Sequence, residues 1–398
     1  MTSPPESSGH RRTTRIPVPQ RDPSVAPGTL RAQPGAEVTR MRVWAYGPDG
    51  LDEDVALSPE LIQRVRSHEQ VIWVNVVGSS DPAVFRELGQ LFGIHALALE
   101  DLISAHQRPK TDDYDDHGLI VLRAPCESER LDLQQIGIVL GSCFVISVQQ
   151  HDGSWFSPIE RRLHSRQSKL RKRPSDYLVH ALIDAALDSY LPVLEAYRDR
   201  LELLEDRIFD DPDDATLFEL HQLRHDLYSM RRALSAMRDA LADSVRGDET
   251  LFSEGLRVYL RDCEDHAAQL LDSVDACSVM ATGLVELRNS QLSYRMNEVM
   301  KWLSLISTVF IPLSFIVGVY GMNFQPEASP WNMPELRWRY GYPFALALMV
   351  LTTCGLLLLF RYRGWVGKGV GRRRRARQRA YLPAIERRTD HGSPSDAG

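Results

Sequence analysis

Cysteine is scarce and scattered: the five, Cys126, Cys143, Cys263, Cys277 and Cys354, contain no C-x-x-C pair. A disulfide framework and a structural zinc site therefore have no basis, and a reducing compartment fits. Catalytic signatures are missing as well. Val38 to about Gln150 holds no G-x-G-x-x-G, no P-loop, and no Ser/His/Asp or Cys/His grouping at a recognisable spacing. No nucleophile or acid–base pair stands out, so an enzyme is the weakest reading, and no nucleotide partner is expected. The mean hydropathy of −0.27 excludes a carrier with ten or twelve spans. Aromatics are not lacking: 12 Phe, 13 Tyr and 7 Trp exclude a wholly disordered chain.

Proline is absent from residues 213–311, and only Gly247, Gly255 and Gly283 interrupt that stretch. Apolar residues at three and four spacings, such as Leu217, Leu220 and Leu223, predict very long helices. A helix from about Thr250 to Tyr320 would be on the order of 100 Å long, which suggests a stalk or lever. Charge is absent from two windows, Trp302–Tyr320 and Gly341–Phe360. Each is long enough to span a hydrocarbon core of ~30 Å, and together they read as two transmembrane helices.

Between these absences the chain is well patterned. Residues 1–36 hold seven of the 23 prolines with Ser, Thr and Arg between them, and read as a disordered tail. Met41–Tyr46, Val71–Val77, Leu119–Arg123, Ile136–Leu140 and Phe144–Gln149 read as strands, and Asp81-Pro82 opens a helix. An α/β domain over 37–175 is therefore expected, then long helices over 176–300. Spans at 301–321 and 341–360 follow, joined by an extracytoplasmic loop at 322–340, with a basic tail at 361–398. The net charge of −6 hides an asymmetry. Residues 361–379 carry eight Arg plus Lys368 and no acid, while the body from 37 to 360 is strongly acidic. By the positive-inside rule the collar, Arg361 to Arg379, lies in the cytoplasm, which places both termini there and the chain in the cell (cytoplasmic) membrane. The collar reads as a nucleic-acid patch or as a contact with anionic lipid; beside a span, lipid is the preferred partner and no nucleic acid is expected.

The first span carries small and polar residues at seven-residue steps. Asn297, Ser304, Ile311 and Gly318 share one stripe, and Met300, Ser307, Ser314 and Gly321 the next. Two readings stay open: close helix packing through small residues, or a pore lining. Pro312 fits either.

Tyr320-Gly321-Met322-Asn323-Phe324, then Met333-Pro334-Glu335-Leu336, with Asn297-Glu298-Val299-Met300-Lys301 before them, resemble the CorA family of magnesium channels. So do His95-Ala96-Leu97-Ala98-Leu99-Glu100-Asp101 and Gln107-Arg108-Pro109-Lys110. The resemblance covers roughly residues 40–366. It implies a homopentamer with a funnel-shaped cytoplasmic domain and Mg²⁺ as both transported and regulatory ion. Gly321, Met322 and Asn323 would form the ion-selective mouth. Asn297, Met300, Leu303, Ser304, Ser307, Ile311, Ser314 and Gly318 would line the pore. Asp101 would pair with Glu286 of a neighbour in a gating site, and Glu100, Asp184 and Asp262 would form a second one. Ile311, Ser314 and Glu286 stand where the family often has Met, Thr and Asp. Co²⁺ or Ni²⁺ could share the path. The rivals are the zinc-transporting branch of the same superfamily, against which Met322 counts, and a two-span sensor or scaffold.

Overall fold

The computed structural model describes residues 26–32, 36–68, 70–105, 107–126, 131–210, 213–246, 254–322, 331–333 and 338–365. Asn323, most of the N-terminal tail, most of the 322–340 loop and the collar from residue 366 onward lie outside the described residues.

The body up to Gln291 is built on a mixed sheet. In chain order it has β1 (Arg40–Tyr46), β2 (Leu51–Glu53), α1 (Pro59–Ser67), β3 (Val71–Val77), α2 (Pro82–Phe92) and α3 (Ala96–Ile103). Then come β4 (Lys110–Tyr114), β5 (His117–Cys126), β6 (Asp132–Leu140), β7 (Phe144–Gln149) and α4 (Ser157–His164). The strand order is β2-β1-β3-β7-β6-β5-β4, with β3 and β7 parallel and the other pairs antiparallel. Alternating side chains feed two cores. Val43, Ala45, Ile72 and Val74 pack against Val65, Phe85, Leu88 and Leu102 from α1–α3. Trp44, Tyr46 and Trp73 point to the other face, where Trp44 and Trp73 stack at 4.6 Å. A strand buried on both faces reads as a continuous apolar run, which is why Val71–Val77 stands out in the sequence.

The second face is covered by helices. These are α5 (Ser175–Asp188), α6 (Tyr190–Asp210), α7 (Asp214–Arg246) and the first part of α8 (Glu254–Tyr320). Asp81 caps α2 through the Ala83 N–H at 2.9 Å, the role that Asp-Pro at a helix start fulfils. Leu220, Leu223, Leu227, Met230, Leu234, Met237 and Leu241 are buried along α7; Leu256, Leu260, Cys263, Ala267, Leu270, Val274 and Cys277 along α8. Both runs step by three and four residues, the seam of a coiled coil. Arg231–Asp275 at 2.6 Å and Arg288–Asp214 at 2.8 Å link the two helices in antiparallel order. Because one core cluster runs from the sheet through α5–α8, the change of texture near residue 175 does not divide the core.

Ser175–Phe209 also has the length and composition of a span, but half of that window is buried in the body, which accounts for its apolar residues without a membrane. The other two candidates differ: the apolar windows of α8 and of α9 (Gly341–Tyr362) are only 6% and 11% buried. These belong to the second compact unit, Leu292 onward. Its exposed Trp302, Trp338, Tyr340 and Trp365 stand at the ends of the two apolar segments, where amphipathic rings settle at a membrane interface.

Candidate functional site

In the membrane unit α8 is helical through Pro312, and the Gly321 N–H still bonds Val317 O at 2.8 Å. Asn297, Met300, Leu303, Ser304, Ser307, Ile311, Ser314 and Gly318 are all exposed. Leu305 is buried, and Val309, Pro312, Ile316 and Val319 are half-buried. At about 100° per residue these two sets fall on nearly opposite sides of the helix. A Cβ built on Gly318 would meet nothing within 4 Å, so among the described residues nothing presses on the small-residue face at that position. Beside the stripe the Thr308 hydroxyl donates to Ser304 O at 2.7 Å, and on α9 Thr352 and Thr353 donate to Leu348 O and Met349 O. Such back-bonding satisfies a hydroxyl inside an apolar medium. Gly321 and Met322 end the helix exposed, with the Met322 N–H on Val319 O at 3.2 Å.

In the body the expected gating carboxylates are separated within one chain. Asp101, near the end of α3, is mostly buried. Its Oδ1 accepts from Gln107 Nε2 and its Oδ2 from Lys110 Nζ, both at 2.6 Å. Lys110 also reaches Asp112 Oδ2 at 2.5 Å. Burial works against the Lys110 ammonium, but the hydrogen bonds and charges of Asp101 and Asp112 outweigh it and raise its pKa. Gln135 of β6 fixes the loop from behind, with Nε2 donating to Asp101 O at 2.7 Å and Oε1 accepting from Gln107 N at 2.9 Å. Glu100 faces elsewhere, its Oε2 accepting the Gly28 N–H at 2.7 Å. Glu286 is exposed on α8.

Asp184 and Asp262 lie on facing helices. His266 Nδ1 is 3.2 Å from Asp184 Oδ1, and His180 Nε2 is 3.4 Å from Asp262 Oδ2. Asp188 joins the first pair at 3.7 Å from His266 Nε2. Its carboxyl is raised by burial and by Asp184. Buried Cys263 sits beside them; burial, then Asp184, Asp262 and Asp188, push its thiol up, so it stays protonated. Lys110, Asp112, Gln135, Asp188, His180 and His266 carry this geometry and were not singled out as site residues by sequence reasoning. The spacing Asp184/Asp188 with Asp262/His266, both i and i+4 on helices, is the signal that could have found the last group.

Residues 68–363 match the family described as CorA-like Mg²⁺ transporter protein. The chain is 33% identical over 329 residues to the cobalt/magnesium transport protein CorA of Thermotoga maritima, covering 82% of this chain and 92% of that one. It is 33% identical over 295 residues to the putative metal ion transporter YfjQ of Bacillus subtilis, covering 74% and 89%. The CorA magnesium transporter of Methanocaldococcus jannaschii shares the fold, with a TM-score of 0.69 at 21% identity over 83% of this chain and 100% of that one. On the family match and the extent of the Thermotoga likeness, the chain belongs to the CorA-like Mg²⁺ transporter family, a family of membrane transporters and not of enzymes.

Proposed function

We propose that the chain conducts Mg²⁺ inward across the cytoplasmic membrane as a homopentamer that cytosolic Mg²⁺ closes, with Co²⁺ and Ni²⁺ able to share the path. The observation that carries this reading is the exposed stripe from Asn297 to Gly318, opposite the covered face of α8. Two spans per chain cannot enclose a pore, so several copies must surround an axis; Ile306, Phe310, Phe315 and Val317 are exposed as well, and the stripe is the exposed face whose small and polar residues suit a water-filled lining. Five copies are what the family resemblance implies.

Mg²⁺ is small and gives up its water reluctantly. A ring of Asn323 amide and Gly321 carbonyl oxygens can bond the ion's water shell at the outer mouth without a carboxylate to trap it. The lack of Asp and Glu between Trp302 and Tyr320 suits weak, multi-site binding. Ser304, Ser307 and Ser314 offer hydroxyls to ordered water, while Met300, Leu303 and Ile311 form apolar constrictions that close by dewetting. Asn297 adds a polar ring at the inner end. The collar holds both termini in the cytoplasm against anionic lipid.

Gating uses the acidic body. Asp101 with a neighbour's Glu286, and Glu100 with Asp184 and Asp262, repel one another across subunits until Mg²⁺ bridges them. Loss of the ion loosens the interface and shifts the population towards open states. The test is Mg²⁺ flux in liposomes with competing Co²⁺, Ni²⁺ and Zn²⁺. Mg²⁺ entry is expected, reduced by Co²⁺ and Ni²⁺, and Asn323→Ala abolishes it. Normal flux in that variant sinks the pore assignment, and Zn²⁺ as the favoured cargo sinks the magnesium reading.

A further inference from the structure

A groove of about 1380 Å³ lies between α7 and strands β5 and β6, and neither conduction nor the proposed gating makes use of it. One wall is the face of α7 that carries His221, His225 and Arg232. These recur at steps of four and seven residues and so share one side of the helix. The other wall is the 107–109 loop with Arg123 of β5. The body as a whole is acidic. Here, by contrast, Arg108, Arg123, Arg231, Arg232, His221 and His225 face Asp226 as the single acid among the described lining residues. Asp226 is itself engaged, its Oδ2 accepting from the Tyr197 hydroxyl at 2.8 Å.

Most of this positive charge is uncompensated. Arg231 is committed to Asp275, but Arg108, Arg232, His221 and His225 form no ion pair among the described residues. Arg123 donates to Leu133 O at 3.0 Å, Gln107 O at 3.1 Å and Ala105 O at 3.4 Å, all neutral oxygens. Burial lowers its pKa, and Arg232 adds to this against the pull of Tyr190 and Asp132. An arginine stays charged regardless, so the groove has a fixed guanidinium that an anion would stabilise. The loop beside it is equally fixed. Gln107 is held through its N–H by Gln135, through its carbonyl by Arg123 and through its amide by Asp101, and Pro109 is buried. Arg108 is the residue of that loop left exposed. Guanidinium forks match phosphate oxygens two at a time. Phe218 and Tyr228, each 65% exposed, line the same groove and offer ring faces.

We propose that this groove binds a polyphosphate anion, the phosphate chain of a nucleotide or of inorganic polyphosphate, through Arg108, Arg123, Arg232 and His225. A P-loop cradles phosphate with successive backbone N–H groups and so leaves a local motif. Side chains drawn from a loop, a strand and a helix leave none, which is why the sequence gave no reason to expect a nucleotide. The site does not depend on the transport reading, since it needs no pore. Gln107 lines the groove and bonds Asp101 at 2.6 Å, so one side chain joins the two places.

The experiment is calorimetric titration of ATP into the full-length, detergent-purified protein, with EDTA present and Mg²⁺ absent. One ATP per chain is expected to bind, tripolyphosphate to displace it, and adenosine to bind far more weakly. Tripolyphosphate as tight as ATP assigns the site to the phosphate chain alone; weaker tripolyphosphate adds a base contact at Phe218 and Tyr228. Arg232→Gln and Arg108→Gln are each expected to weaken binding about tenfold, the scale of lost hydrogen bonds to a charged group. Two variants on opposite walls keep the test open if one does not fold. Arg238→Gln, removing an α7 guanidinium that is bonded to Asp239 and does not line the groove, should leave the affinity unchanged. The proposal is overturned if the parent protein binds neither ATP nor tripolyphosphate, if adenosine binds as tightly as ATP, or if folded Arg108→Gln and Arg232→Gln bind as the parent does. Equal loss in Arg238→Gln would also overturn it.

Discussion

Asp101 shares its oxygens between the Lys110 ammonium and the Gln107 amide, so a divalent cation reaching this carboxylate has to displace a cation already bound to the chain. Hydrogen bonds to charged groups contribute about 1.5–3 kcal/mol, which is roughly tenfold or more in an equilibrium. Lys110→Met should therefore lower the Mg²⁺ concentration that half-protects the body from proteolysis by about tenfold, while Asp101→Ala reduces the protection. Unchanged midpoints in the Lys110 variant would mean that Mg²⁺ does not compete for Asp101; no protection in the parent protein would instead remove Mg²⁺ gating itself. His117 gives a pH prediction. Burial, with His95 beside it, holds its imidazole below the ordinary value. The unfolded chain then takes up the proton first, so stability is constant above about pH 6.5 and falls as pH drops below it. Thermal unfolding between neutral and mildly acidic pH should show that loss, and His117→Gln should remove His117's share of it.

At the scale of elements, the stripe and the seam make separable predictions. A water-soluble thiol reagent should block flux through Ser314→Cys and leave Leu313→Cys untouched, both made on a background lacking the exposed Cys354. Equal reaction at both positions would mean that the stripe is not a water-lined face. Leu227→Ala, in the α7 seam, should cost about 2–5 kcal/mol and lower the unfolding midpoint without altering ion preference. Long periodic elements were legible in the sequence: β1, β3, β7, α2, the long helix ending at Tyr320 and both apolar segments. β2 and β4 were not. The Lys-Thr-Asp-Asp-Tyr of β4 is half-buried at the sheet edge, where one side pairs with β5 and the outer side needs no apolar run. β5 and β6 outrun their apolar centres because His117, Gln134 and Gln135 are buried polar residues, a placement that hydrophobic periodicity does not encode. For the same reason Asp101 was legible as a candidate, but its bonds to Lys110, Gln107 and Gln135 depend on contacts across elements.

For the whole molecule, charge is distributed along the chain in a way that its net −6 conceals. The body is acidic, residues 361–379 are basic, and the two apolar segments between them carry no charge; on the proposed reading the first concentrates cations and the second sets sidedness. If conduction is passive, its driving force is the membrane potential: a divalent cation moving inward gains about 4.6 kcal/mol per 100 mV, twice the single-charge value. The most direct measurement is Mg²⁺ entry into liposomes holding the purified protein, with no nucleotide present and a potassium diffusion potential set across the membrane. Uptake should rise steeply when the interior is negative and fall when the potential is collapsed. Uptake indifferent to the potential, or none at all, would contradict passive conduction of Mg²⁺ by this chain.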